Sequence, residues 1–128
     1  MDNIFGGPWT EEKLNILRGY LNSYTTALKK YSFEKIYIDA FAGTGNIKAG
    51  SIGNLDGSAK IALGEDFDRY IFIEKQQRKC EALKGLVHRD FPLKEFKVEV
   101  IKGDANTELK KVVARFRWNK ERAVVFLD

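Results

Sequence analysis

Four acidic residues carry the first hint of chemistry in this chain. Asp39, Glu74, Asp104 and Asp128 each stand at or just after the carboxyl end of a short apolar segment. If those segments are parallel strands, the acids gather along the sheet edge where open α/β folds bind their ligands. Like charges crowded there repel, by about 1 kcal/mol per pair in water at ~4 Å and about 4 kcal/mol near a protein surface. A ligand bringing positive charge and hydroxyl donors would relieve that repulsion. Any one of these acids alone reads as a capping or turn residue, because turns favour Asp. All four together, beside a glycine-rich loop, read as a site.

The loop runs Asp39-Ala40-Phe41-Ala42-Gly43-Thr44-Gly45. Glycines directly after a buried strand let the backbone turn sharply and approach a ligand closely. A dinucleotide site would place a third glycine at position 48, where Lys48 stands. It would also bring a pyrophosphate near Asp39, a repulsion of roughly 1–4 kcal/mol at ~4 Å. S-adenosylmethionine has no phosphate and carries an ammonium and a sulfonium, so Asp39 beside the turn favours it. Glu74 is placed to accept hydrogen bonds from ribose hydroxyls. The acid of dinucleotide sites fills the same role, so Glu74 does not separate the two cofactors.

The elements that must position these residues alternate helix and strand. Thr10 can cap a first helix, with Glu11 and Glu12 in its first turn and an apolar stripe of Leu14, Leu17, Leu21, Tyr24 and Leu28. Residues 35–39 read as a buried strand, and a glycine-rich stretch follows from Gly43 to Gly57. Ser58 is the expected cap of a short helix through Ala59, Ile61, Ala62 and Leu63. Tyr70 to Ile73 form a second strand, and residues 76–88 a helix with Cys80, Leu83 and Val87 on one face. Phe96, Val98 and Val100 alternate with polar residues as a half-buried strand does. Leu109, Val112, Val113 and Phe116 mark another helix, and Ala123 to Leu127 a last strand. Continuous apolar strands alternating with helices predict a parallel sheet covered on both faces. The expected strand order is 3-2-1-4. One domain spans 1–128, with an N-terminal helical segment over 1–32 and a parallel α/β core over 33–128.

In order along the chain, Gly6-Gly7-Pro8-Trp9-Thr10, Tyr37-Ile38-Asp39-Ala40-Phe41-Ala42-Gly43-Thr44-Gly45, Phe72-Ile73-Glu74-Lys75, Gly103-Asp104-Ala105-Asn106 and Phe126-Leu127-Asp128 form a set. That set resembles the three-Cys-motif partner proteins, a family similar to the class I S-adenosylmethionine-dependent methyltransferases. The resemblance covers nearly the whole chain. It implies a Rossmann-like class I methyltransferase fold, with Asp39, Phe41, Gly43 and Gly45 around the methionine end of the cofactor. It implies Glu74 on the ribose and Asp104 with Ala105 near the adenine, with Ala40, Thr44 and Lys75 as further cofactor-binding residues. It also implies a partner protein bearing three cysteines, this chain having only Cys80. Two features depart from the general pattern. A long loop with Gly50, Gly53 and Gly57 precedes the second helix, where a generic methyltransferase starts that helix sooner. The family pattern continues past Asp128 with further strands, so a fold incomplete at its C-terminus, truncated after the fourth strand, is expected.

Other residues keep plainer readings. His88 reads as a helix-end surface residue and Cys80 as core. Trp9 staples the first helix to the sheet or lies at the cofactor edge. Lys110, Lys111, Arg115 and Arg117 make a basic helix face, solvated or touching nucleic acid. The 128 residues are 44% hydrophobic and 31% charged, enough for a core without a bias toward disorder. A net charge of +4 permits a nucleic-acid partner without arguing for one. One cysteine excludes an internal disulfide and a cysteine-rich metal site, and no metal site is expected. No apolar run approaches the roughly 20 residues that span a bilayer, and the N-terminus lacks the basic start and apolar core of a signal peptide. A cytoplasmic location without membrane attachment is the expectation.

The leading functional expectation is transfer of a methyl group from a sulfonium donor, chemistry that needs mainly positioning and desolvation. A base is needed only where the acceptor must lose a proton, and Asp128 is the candidate for acceptor contact. The acceptor class stays open, nucleic-acid adenine included. The rivals are a non-catalytic Rossmann-like module working with a partner protein and a nicotinamide-dependent oxidoreductase.

Overall fold

The structure is a computed structural model that describes residues 11–40 and 57–127. Thr10, Trp9, Phe41, Gly43, Thr44, Gly45, Lys48, Gly50, Gly53 and Asp128 lie outside the described residues.

Four strands build one parallel sheet: β1 (Glu34–Ala40), β2 (Arg69–Glu74), β3 (Val98–Lys102) and β4 (Glu121–Leu127). Their order is β3-β2-β1-β4, the order expected. The register pairs Asp39 with Phe72 and with Phe126, and Glu74 with Lys102. The chain therefore steps outward from β1 to β3 and then crosses back to lay β4 on the other side of β1. Strand order reverses at β1, the topology that opens a ligand crevice at the carboxyl edge.

Helices cover both faces. α1 (Glu11–Leu28), α2 (57–63) and α3 (Gln77–Asp90) lie on one face, and α4 (Ala105–Ala114) on the other. Side chains of successive strand residues point to opposite faces. Tyr37, Tyr70, Phe72 and Val124 accordingly pack with Leu17, Leu21, Leu63, Leu83 and Leu86 in the larger core. Ile36, Ile38, Ala40, Ile71 and Ile73 pack with Val112 and Phe116 in the smaller. Burying a side chain such as Phe72 or Leu83 stabilises the fold by roughly 1.5–3 kcal/mol. The central strands β1 and β2 are buried along almost their whole length, while β3 and β4 at the sheet margins are half-buried.

Four local expectations change. Ser58 does not cap α2: it lies within the helix and is fully buried. Gly57, expected to end the glycine-rich stretch, is already helical. A Cβ there would come within 3.2 Å of Leu14 on α1, so the glycine permits a close helix approach. Phe96 is not in a strand. Pro92, with its fixed φ, opens a 3-10 turn over Pro92–Lys97 that leaves Phe96 exposed, and β3 starts at Val98. Phe116 follows α4 instead of ending it, and folds back into the smaller core with Trp118 edge-on at 5.4 Å. Among the described residues, no helix is long and apolar enough to cross a membrane.

Candidate functional site

The carboxyl ends of β1, β2 and β3 bring Asp39, Glu74 and Asp104 to one sheet edge. Strand alternation puts Asp39 and Glu74 on the same face, that of the larger core, at the ends of adjacent strands. Their environments differ from the solvated or capping acids that strand ends often carry. Asp39 is fully buried, and its Oδ2 accepts a hydrogen bond from the Tyr37 hydroxyl at 2.8 Å. Tyr37 and Asp39 are two residues apart and share a face, so the strand period itself delivers the donor.

Glu74 is only 3% exposed. Its Oε2 accepts from the Gln76 backbone N–H at 2.7 Å, which pins the carboxylate over the turn between β2 and α3. Its Oε1 is buried and has no hydrogen-bond partner among the described residues. A buried polar atom left unpaired costs free energy, which sets this oxygen apart from most buried acceptors. The backbone oxygen of Glu74 is also used, accepting from Gly103 N–H at 3.0 Å and from the Cys80 thiol at 3.4 Å. These contacts fasten the β3–α4 turn and the start of α3 to the end of β2.

Asp104 is placed as the N-cap of α4. Its Oδ2 accepts from the Thr107 backbone N–H at 3.0 Å and from the Thr107 hydroxyl at 3.1 Å. Those bonds, the N–H foremost, hold its carboxyl below the usual Asp range, and the positive charge of Lys75 acts in the same direction. Lys75 is exposed between the two acids in chain and charge. The methyl of Ala105 is committed to the smaller core. Ala40 ends β1, buried on the opposite face from Asp39. The structure thus gathers Asp39, Ala40, Glu74, Lys75, Asp104 and Ala105 at one edge. Phe41, Gly43, Thr44, Gly45 and Asp128 fall outside the described residues.

Two residues of this edge escaped the sequence reading. Tyr37 was visible only as an apolar strand residue, although its spacing of two from Asp39 is a usable signal. Gln76 is the N-cap residue of α3, yet its side chain makes no capping bond, and its Oε1 is buried without a partner among the described residues. A Gln where Ser, Asp or Asn is preferred could have marked it.

The plainer residues fall where expected. Cys80 is buried in α3, and burial, with the charge of Glu74 second, pushes its thiol pKa up, away from reactivity. His88 is an exposed residue in the last turn of α3, 3.3 Å from Glu95. On the basic face, Arg115 pairs with Glu99 at 3.1 Å and Lys111 with Glu108 at 3.5 Å, which neutralises part of it locally. Comparison of the chain with models of protein families, with curated proteins and with solved structures finds no match.

Proposed function

We propose that the carboxyl edge of this sheet binds S-adenosylmethionine and that the chain is the cofactor-binding part of a methyltransferase resembling the three-Cys-motif partner proteins. The observation that carries the reading is Glu74 Oε1, a buried acceptor with no partner among the described residues, set beside buried Asp39 where the strand order reverses. A carboxylate oxygen in that position is suited to a ribose hydroxyl, which brings the donor missing among the described residues. Bound there, the cofactor would supply a methyl group on a sulfonium for transfer to an acceptor. The chain's own residues position and desolvate: the turn after β2 holds Glu74, Tyr37 holds Asp39, and the helix cap holds Asp104. The buried acids bring negative charge to an edge that favours a cationic ligand over a pyrophosphate.

Titration calorimetry of the chain with S-adenosylhomocysteine and with oxidised nicotinamide adenine dinucleotide tests this. The expected result is tighter binding of S-adenosylhomocysteine, weakened about 10-fold by Glu74→Gln, since a bond to a charged acceptor becomes a neutral one. Thermal unfolding of the same variant should show no loss, because the amide still accepts from Gln76 N–H and a buried charge is removed. Tighter binding of the dinucleotide overturns the choice of cofactor. A lower melting temperature with unchanged affinity would make Glu74 a structural cap and end the ribose assignment.

A further inference from the structure

The two oxygens of Glu74 are not equivalent. Oε2 is occupied by the Gln76 N–H at 2.7 Å, so only Oε1 is left wholly for a ligand. A carboxylate that gives one oxygen to the fold is poorly arranged to take both hydroxyls of a vicinal diol in the bidentate manner that two open oxygens allow. The same turn supplies a second acceptor. Gln76 Oε1 is buried and unpartnered among the described residues, two positions along the chain from Glu74. Its amide does not cap α3, which is the local use a polar side chain at that position would ordinarily find. An unused cap and a buried carbonyl without a partner among the described residues together describe a side chain open to a ligand.

We propose that Gln76 is a ligand-binding residue of this site, its side-chain carbonyl accepting one hydroxyl of a vicinal diol whose other hydroxyl is accepted by Glu74 Oε1. This rests on the nucleoside-cofactor reading above and names how the sugar is read. The turn is built for the division of labour. The bond from Gln76 N–H to Glu74 Oε2 fixes the carboxylate relative to the backbone that carries the amide. Both are acceptors, so the ligand must supply two donors. An unmodified ribose does this, and a deoxyribose or a 2′-phosphate does not.

The test uses the whole chain and three probes: S-adenosylhomocysteine and its 2′-deoxy and 3′-deoxy analogues, titrated by calorimetry. On the unaltered chain each deoxy analogue should bind about 3- to 10-fold more weakly than the parent. In Gln76→Met, which keeps the length of the side chain and removes the acceptor, one of the two penalties should vanish while the other persists. Persistence of both penalties in Gln76→Met overturns the assignment. So does a penalty from only one hydroxyl in the unaltered chain, a measurement that stands even if the variant does not fold. If the unaltered chain binds S-adenosylhomocysteine and Gln76→Met changes nothing, only Gln76 is misassigned. If the unaltered chain binds none of the three probes, the cofactor reading itself fails, and this one with it.

Discussion

The two edges of the sheet use acidic residues in opposite ways. At the amino edge, Asp68 accepts from Lys35 N–H at 2.7 Å and lies 4.0 Å from Lys35 Nζ. Glu121 there accepts from Arg117 N–H at 2.7 Å and stands 3.6 Å from Arg69. Asp68 is half-exposed, and each carboxylate spends its charge on backbone and on neighbouring cations. At the carboxyl edge, Asp39 and Glu74 are buried, and Glu74 keeps one oxygen without a partner among the described residues. Acids at the first edge close the fold. At the second, Glu74 Oε1 stays buried without a partner among the described residues, a local cost of the kind that functional sites carry.

The sharpest way to break that contrast is at Tyr37. Its hydroxyl donates to Asp39 Oδ2 from a fully buried position. Tyr37→Phe keeps the ring against Phe67 and Phe72 and removes only the donor. Taking a donor from a buried carboxyl group should cost about 1–3 kcal/mol. Urea unfolding, read as a shift in midpoint at constant slope, measures it. An unchanged midpoint would mean that water reaches Asp39, and the buried edge would lose its distinction from the other.

The corresponding change at the amino edge is smaller. Asp68→Ala deletes one bond to the backbone at the start of β1 and a screened ion pair, so about 0.5–1.5 kcal/mol is expected. That corresponds to a fall in Tm of a few degrees, on the order of 2–5 °C. Affinity for S-adenosylhomocysteine should not move. A ligand effect here, at the far end of the strands, would show that the edges are coupled and not divided.

The contrast was only partly legible in the sequence. The parallel sheet and its layering followed from apolar runs such as Tyr70 to Ile73 alternating with helical stripes, because periodicity reports burial directly; the strand order came only with the fold that the resemblance implies. The acids at strand ends were visible by position, since Asp39, Glu74 and Asp104 each follow such a run. Their separate fates were not. Whether Glu74 gives an oxygen to Gln76 N–H depends on how tightly the chain turns after β2, and no local pattern encodes that. Phe96 misled because alternation with Val98 and Val100 fits a strand template, while Pro92 imposes a turn that overrides it. Ser58 misled because serine suits a cap, while here the helix already includes Gly57 and buries Ser58.

Asp104 sits at the carboxyl edge yet behaves like an acid of the amino edge, and this gives the finest test. Its Oδ2 is committed to the Thr107 N–H and hydroxyl, and those bonds lower its pKa. A carboxyl whose folded pKa lies below its unfolded value, near ~3.9, stabilises the native state fully above that value. The contribution fades as pH falls through the folded pKa. Asn is an equally good N-cap but has no charge to lose. Asp104→Asn should therefore be slightly less stable than the unaltered chain at neutral pH, with the gap closing in acid. Asp90, lowered in the same direction by Arg89, titrates in both proteins and cancels in the difference. Urea unfolding of the pair between neutral pH and the acid limit of folding reads the gap. A gap independent of pH would mean that the cap does not use the charge. Titration with S-adenosylhomocysteine completes the comparison. Because the cap already occupies Asp104, Asp104→Asn should weaken binding less than Glu74→Gln does, and an equal or larger loss would place Asp104 among the acids held for the ligand.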